Sequence, residues 1–259
     1  MTDSRVSGFK QRLAQGEPMI GTWVKTPSPV VCEVLCRTEL DALALDAEHS
    51  PFGRLELDGC LAVSRLADMP TLVRVPSASP ADLLNALDCG ATGVVVPHVT
   101  TTQQAEAVAT ACHFGRGGRG FAGSTRAAEF GGKKMPDHLA DSRQQTIVVA
   151  QIEDVEAVDA IDEIAAVEGI DCLFVGRIDL TVALGAESPN SPEVIEAVAT
   201  VCAAGKRAGR PVGMFVADTA EAPRWIEAGA SLFLLGSDQG FLTAGANELV
   251  GAFHTPRSS

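Results

Sequence analysis

TIVVAQIE (146–153) and CLFVGRID (172–179) decide how this chain folds. Each is a short, nearly continuous apolar run that ends on a carboxylate, with a longer stretch between the two. Continuous rather than alternating apolar runs are what strands covered on both faces require. A strand, a helical stretch and a second such strand make a parallel βαβ unit. Working outward, runs of the same kind occur at MIGTWVK (19–25), DALALDAE (41–48), PTLVRVP (70–76), GVVVPHV (93–99), PVGMFV (211–216) and SLFLLGSD (231–238). Between them, SPADLLNALDCG, TTQQAEAVATACHFG and TAEAPRWIEAGA open on Ser or Thr, as helix N-caps do, and close at Gly90, Gly115 and Gly229, as C-caps do. Eight such units in 259 residues predict an α/β fold of the closed (β/α)₈ TIM-barrel type, one domain over 1–259, in preference to an open doubly wound sheet.

The formal net charge of −13 repels phosphate backbones, so nucleic acid is excluded as a partner. No apolar run reaches bilayer-spanning length, which excludes a membrane span. The opening MTDSRVSGFKQRLAQGE is polar and helical in pattern, without the apolar region of a signal peptide. The seven cysteines are odd in number, form no CxxC pair and sit among Ala, Val and Leu. They are expected as buried, reduced thiols of a cytoplasmic protein. One segment breaks the rhythm: GRGGRGFAGSTRAAEFGGKKM (115–135) is too long for an ordinary connection and is expected to be a lid or an anion-binding loop. The tail 254–259 is expected to fray.

In a TIM barrel the active site lies at the C-terminal ends of the strands. The polar residues expected there are Asp46, Glu48 and His49 after the second run, Arg74 after the third, Gln151 and Glu153 after the fifth, Arg177 and Asp179 after the sixth, and Ser237 and Asp238 after the eighth. Glu153 and Asp179 are the natural metal ligands, because two hard carboxylates leave several octahedral positions open, which suits Mg²⁺ or Mn²⁺. A 2-oxo acid could chelate such an ion through its carboxylate and keto oxygens, and the ion would stabilise an enolate. Each carboxylate could instead cap a helix or pair with an Arg. Arg74 can grip a carboxylate or an enolate oxygen in a fork, or pair with Asp46 or Glu48. His49 is a candidate general acid or base with Asp46 orienting its ring, and Gln151 a candidate for holding water or a substrate oxygen. Lys25 invites a Schiff-base reading that a solvated lysine would equally satisfy. His98 lies at a strand end, whereas His113, His138 and His254 are expected to be solvated.

LDAEHSPF, LVRVP, GATGVVVPHV, VVAQIEDVEAV, VEGIDCLFVGRIDL and GASLFLLGSD, in that order, resemble the class II pyruvate-dependent aldolases of the HpcH/HpaI family, from about Gly21 to Phe253. The resemblance implies a (β/α)₈ barrel whose last helix is exchanged between subunits of a homohexamer, a trimer of dimers. It implies divalent-metal ligation by Glu153 and Asp179, with Co²⁺ admissible beside Mg²⁺ and Mn²⁺. It further implies an acid/base pair of His49 and Asp46, and substrate contacts from Arg74, Gln151 and the Gly176–Ile178–Asp179 turn. The implied reaction is reversible cleavage of a 4-hydroxy-2-oxo acid to pyruvate and an aldehyde. Alternatives are condensation or decarboxylation of a dicarboxylic 2-oxo acid such as oxaloacetate, and an inactive barrel retained for ligand binding or assembly. Two departures bear on substrate: Arg177 stands where the family commonly has Pro, which would set a positive charge beside Asp179, and His98 stands where an uncharged residue is usual.

Overall fold

Eight strands form where the apolar runs predict them, seven shorter than their runs and the eighth shifted by one residue. In the computed structural model, which describes residues 4–254, they are β1 (Met19–Val24), β2 (Ala42–Asp46), β3 (Thr71–Arg74), β4 (Gly93–Val96), β5 (Ile147–Ile152), β6 (Cys172–Val175), β7 (Val212–Val216) and β8 (Ala230–Ser237). Neighbours pair in parallel in chain order, and β8 returns to β1, so the sheet closes into a barrel with helices between successive strands. This is the (β/α)₈ TIM barrel that the alternation implies.

Side chains alternate along each strand, so residues of one parity face the lumen. Met19, Trp23, Ala42, Ala44, Leu72, Val95, Ile147, Val149, Cys172, Phe174, Leu232 and Leu234 form that inner core. The larger core lies outside the strands, against the helices, and holds Leu43, Leu45, Val73, Val94, Val96, Val148, Leu173 and Met214. The helix Arg5–Ala14, capped by Ser4, inserts Phe9 and Leu13 against the inner core and plugs its N-terminal end. Gly93 is required by closure: a Cβ there would lie 2.3 Å from the Ile147 carbonyl oxygen on the neighbouring strand.

The capping chemistry holds at several ends. Ser79 and Thr101 accept backbone N–H groups at the starts of Pro80–Asp88 and Thr102–Cys112, and Gly229 ends Ala222–Ala228 in the left-handed conformation. All seven cysteines are free, six buried and Cys36 half-buried. Among the described residues no helix is long and apolar enough to cross a membrane. The tail beyond His254 lies outside the described residues.

Three expectations are corrected. Arg177 and Asp179 are not strand residues but open the helix Arg177–Ala183. The 115–135 segment is no lid over the barrel mouth within this chain, because it follows the C-terminus of Thr102–Cys112 and none of it lines the cavity there. His138 is not solvated: it is only 3% exposed, packed edge-on against Phe114.

Candidate active site

Inward parity carries the same faces up to the C-terminal rim, where polar residues replace apolar ones. Trp23, Arg74, Gln151, Phe174, Phe215 and Gly236 line a cavity of about 1000 Å³ at that end, with Gly176, Ile178 and Asp179 from the β6 turn and His49 and Lys25 at its edge. Such a cavity accommodates a small metabolite with room to spare.

Asp46, at the end of β2, is fully buried. Its Oδ1 accepts from Arg74 Nε at 3.0 Å, and Arg74 Nη2 lies 2.9 Å from Oδ2. Arg74 Nε also lies 3.3 Å from Glu48 Oε2, and its guanidinium stacks 4.5 Å from the centre of the Trp23 ring. The ion-pair reading of Arg74 therefore holds without removing it from the cavity, since two carboxylates and a ring fix its plane. Lys25 Nζ lies 3.4 Å from Asp46 Oδ2. Burial pushes the Asp46 carboxyl up, but Arg74, the His49 amide and Lys25 together hold it below the usual carboxylate range.

His49 meets Asp46 through its backbone rather than its ring: its N–H donates to Asp46 Oδ1 at 3.1 Å. The imidazole is left exposed at the cavity edge with Nε2 3.7 Å from Glu48. A ring-to-carboxylate dyad is thus not formed in this structure.

Glu153, one residue past β5, is 3% exposed. Its Oε1 accepts from the His98 amide at 2.9 Å and its Oε2 from Gln151 Nε2. Burial is the main cause that raises its carboxyl above the usual range, and the charge of Asp179 adds to the rise. The two carboxylates converge at Gly176: a Cβ there would sit 3.0 Å from Glu153 Oε2 and 3.3 Å from Asp179 Oδ2. Among the described residues neither has a Lys or Arg within ion-pair distance; His98 Nδ1, 3.5 Å from Glu153, is the one basic group near them. An uncompensated buried charge costs about 3–5 kcal/mol, so a bound cation suits this pair. Gln151 Oε1, buried beside them, has no hydrogen-bond partner. Two hard oxygen donors around a gap only glycine leaves open, with an unused amide oxygen nearby, fit a divalent ion.

His98 adopts a left-handed backbone (φ 53°) and pairs Nδ1 with Asp154 Oδ2 at 3.0 Å. That hydrogen bond is the main cause that raises its imidazole above the ordinary value. His98, Glu153 and Asp154 form a further compact group of possible ligands. Arg177 does not charge the surroundings of Asp179 as expected. Its guanidinium turns to Glu221 Oε2 at 2.6 Å, to Asn190 Oδ1 at 3.1 Å and to the Pro189 carbonyl, beside the Trp225 ring. Asp238 is likewise structural, accepting the Lys25 and Thr26 amides at 2.7 and 3.0 Å. Sequence reading missed Phe174, which the barrel register sets beside Gln151, and Phe215 on the following strand. It also missed Asn190 and Glu221, which lie where no periodic signal points.

Residues 19–244 match the HpcH/HpaI aldolase/citrate lyase family. Over 247 residues the chain is 36% identical to a 5-keto-4-deoxy-D-glucarate aldolase of Klebsiella pneumoniae subsp. pneumoniae, covering 95% of this chain and 96% of that one. A crystal structure of an HpcH/HpaI aldolase/citrate lyase family protein from Burkholderia cenocepacia J2315 superposes with a TM-score of 0.90 at 35% identity, over 96% of this chain and all of the other. The citrate synthase SbnG superposes with a TM-score of 0.84 at 26% identity, over 94% of this chain and 96% of the other. Fold and mouth together therefore define a barrel enzyme of the carbon–carbon lyase class, an aldolase. The chain belongs to the HpcH/HpaI aldolase/citrate lyase family.

Proposed function

We propose that residues 1–259 work as one barrel domain that cleaves a 4-hydroxy-2-oxo acid reversibly to pyruvate and an aldehyde, with a divalent ion held by Glu153 and Asp179. The observation that carries this is the convergence of those two carboxylates on Gly176 with no Lys or Arg among the described residues within ion-pair distance of them. When bound, Mg²⁺, Mn²⁺ or Co²⁺ would supply Lewis-acid polarisation of the keto group. The chain's own residues do the rest. Arg74, fixed by Asp46, Glu48 and Trp23, offers its remaining N–H edge to the carboxylate or keto oxygen of the 2-oxo acid. Gln151 uses its free Oε1 to accept from water at the centre and keeps Glu153 oriented through Nε2. The Gly176–Ile178–Asp179 turn leaves room for the pyruvate moiety, and Phe174 and Phe215 exclude water beside it. His49, free at the edge of the cavity, takes the C4 hydroxyl proton as the C3–C4 bond breaks. The bond's electron pair passes to C3 as the enolate, C4 leaves as an aldehyde, and C3 then gains a proton to give pyruvate.

The six-carbon acid of the relatives, 5-keto-4-deoxy-D-glucarate, is the substrate to try first. Pyruvate release coupled to lactate dehydrogenase should require added divalent metal. Glu153→Ala and Asp179→Ala should each lower kcat/KM by about 10³ or more while circular dichroism stays that of the parent. Turnover that survives both substitutions and chelation would remove this mechanism.

The assembly belongs to the same proposal. The helix Asp238–His254 is exposed along nearly its whole length and presents Phe241, Leu242, Leu249, Val250 and Phe253 to solvent. So large an apolar face favours a second copy of the chain, as in an exchanged-helix dimer within a homohexamer. Seven free thiols support a reducing, cytoplasmic setting.

A further inference from the structure

The 115–135 segment, absent from the barrel mouth, takes part in a second cavity at the opposite end. This one, of about 40 Å³, lies beside Thr92 and Thr146, where β4 and β5 begin. Its polar lining includes Arg65, Arg119, Lys133, His138, Asp141 and Gln145. Three of these are cations in a chain whose formal net charge is −13.

Two of the side chains are built in and incompletely used. Arg119 is 7% exposed and His138 is 3% exposed, yet Arg119 Nε and His138 Nε2 have no hydrogen-bond partner. Both are held in place by packing: the Arg119 guanidinium lies 4.5 Å from the Phe114 ring centre, and His138 packs against Phe114 and Phe121 at 5.3 and 5.8 Å. The cations are also unequally partnered. Arg119 pairs with Asp88, and Lys133 with Asp141 at 2.6 Å and Glu129 at 3.5 Å. Arg65 has no carboxylate within ion-pair distance among the described residues, and reaches only the Gly90 carbonyl at 3.4 Å. Burial lowers the Arg65 guanidinium, with Glu129 acting against the shift, and burial together with Arg119 and Lys133 lowers the His138 imidazole, with Asp141 and Asp88 acting against it. Water could meet the two orphan nitrogens, but it leaves the unpaired charge of Arg65 as it is.

We propose that this cavity binds one small oxyanion of the size and charge of phosphate or sulfate, held by Arg65, Arg119 and Lys133, with His138 donating from Nε2. The volume admits about three water-sized groups, which a single tetrahedral oxyanion would fill. The anion ties the glycine-rich segment and the helix Met135–Gln145 to the floor of the barrel, away from the chemistry at the mouth. It is therefore a stabilising ligand and not a substrate.

Thermal unfolding and titration calorimetry of the full chain, with sodium phosphate or sulfate against sodium chloride at equal ionic strength, test this. Saturating pyruvate is included so that Arg74 is occupied. One phosphate per chain and a rise in Tm of several degrees beyond that with chloride are expected. His138→Phe, which keeps the aromatic packing, and Arg65→Met should each weaken phosphate at least tenfold while leaving aldolase kcat/KM unchanged. Should His138→Phe fail to fold, Arg65→Met decides alone. A Tm response no larger than with chloride, or phosphate affinity unaltered by Arg65→Met, overturns the proposal. A response to acetate equal to that to phosphate overturns the assignment of a tetrahedral anion.

Discussion

Asp46 has no solvent contact and meets Arg74 through both of its oxygens, with Lys25 at the second. Its folded-state carboxyl titrates below its unfolded value, since the attraction of Arg74, the His49 amide and Lys25 outweighs burial. Stability from this group is therefore complete above the unfolded carboxylate range, near pH 4, and is lost as pH falls through the folded value. Asp46→Asn should cost about 3 kcal/mol at pH 7, because it leaves Arg74 buried without its main counter-charge. It should also flatten the acid limb of a urea-midpoint series between pH 7 and pH 3. An unchanged midpoint at pH 7 would show that the pair adds nothing to stability. At this scale the sequence was readable where a charged side chain ended an apolar run, because burying it without a partner is costly. Asp46, Arg74 and Glu153 all announce themselves so. Trp23 did not, since an aromatic residue in an apolar run gives no sign that it will stack on Arg74.

The turn after β6 shows what an element adds. Gly176 has an ordinary backbone conformation (φ −82°), so its value is the gap it leaves and not its flexibility. A methyl group there would lie 2.7 Å from Glu153 Cβ and would meet both carboxylates. Gly176→Ala should fold, lower Tm by a few degrees, and weaken Mn²⁺ binding at least tenfold, as read by calorimetry. Binding equal to that of the parent would mean that the ion does not sit between these side chains. This turn was only partly legible. The spacing of GRID placed Asp179 near Glu153 but could not foretell that Arg177 would swing to Glu221 and Asn190, which lie in later connections without periodicity. The 115–135 segment was recognised as unusual by its length and composition. Its destination at the N-terminal end depended on which helix end it leaves, and glycine and arginine content alone is blind to that.

Across the whole molecule, the alternation of apolar runs and capped helices sufficed for the barrel, because closing eight parallel strands leaves little topological choice. What that pattern cannot show is that the last helix leaves Phe241, Leu242, Leu249, Val250 and Phe253 exposed among the described residues. Replacing Leu249 and Phe253 together by Glu should convert a multi-subunit particle to smaller species in light scattering while the barrel's circular dichroism persists. A parent protein already monomeric at micromolar concentration would contradict the proposed assembly.

Enolate formation at the Glu153–Asp179 centre is the claim on which the function rests, and it can be watched without knowing the aldehyde. Proton NMR of pyruvate in D₂O with enzyme and Mg²⁺ or Mn²⁺ should show the methyl signal decay as deuterium enters. The decay should stop with EDTA and in Glu153→Ala and Asp179→Ala. Exchange that continues in both variants and under chelation, or no exchange in the metal-loaded parent enzyme, would contradict it.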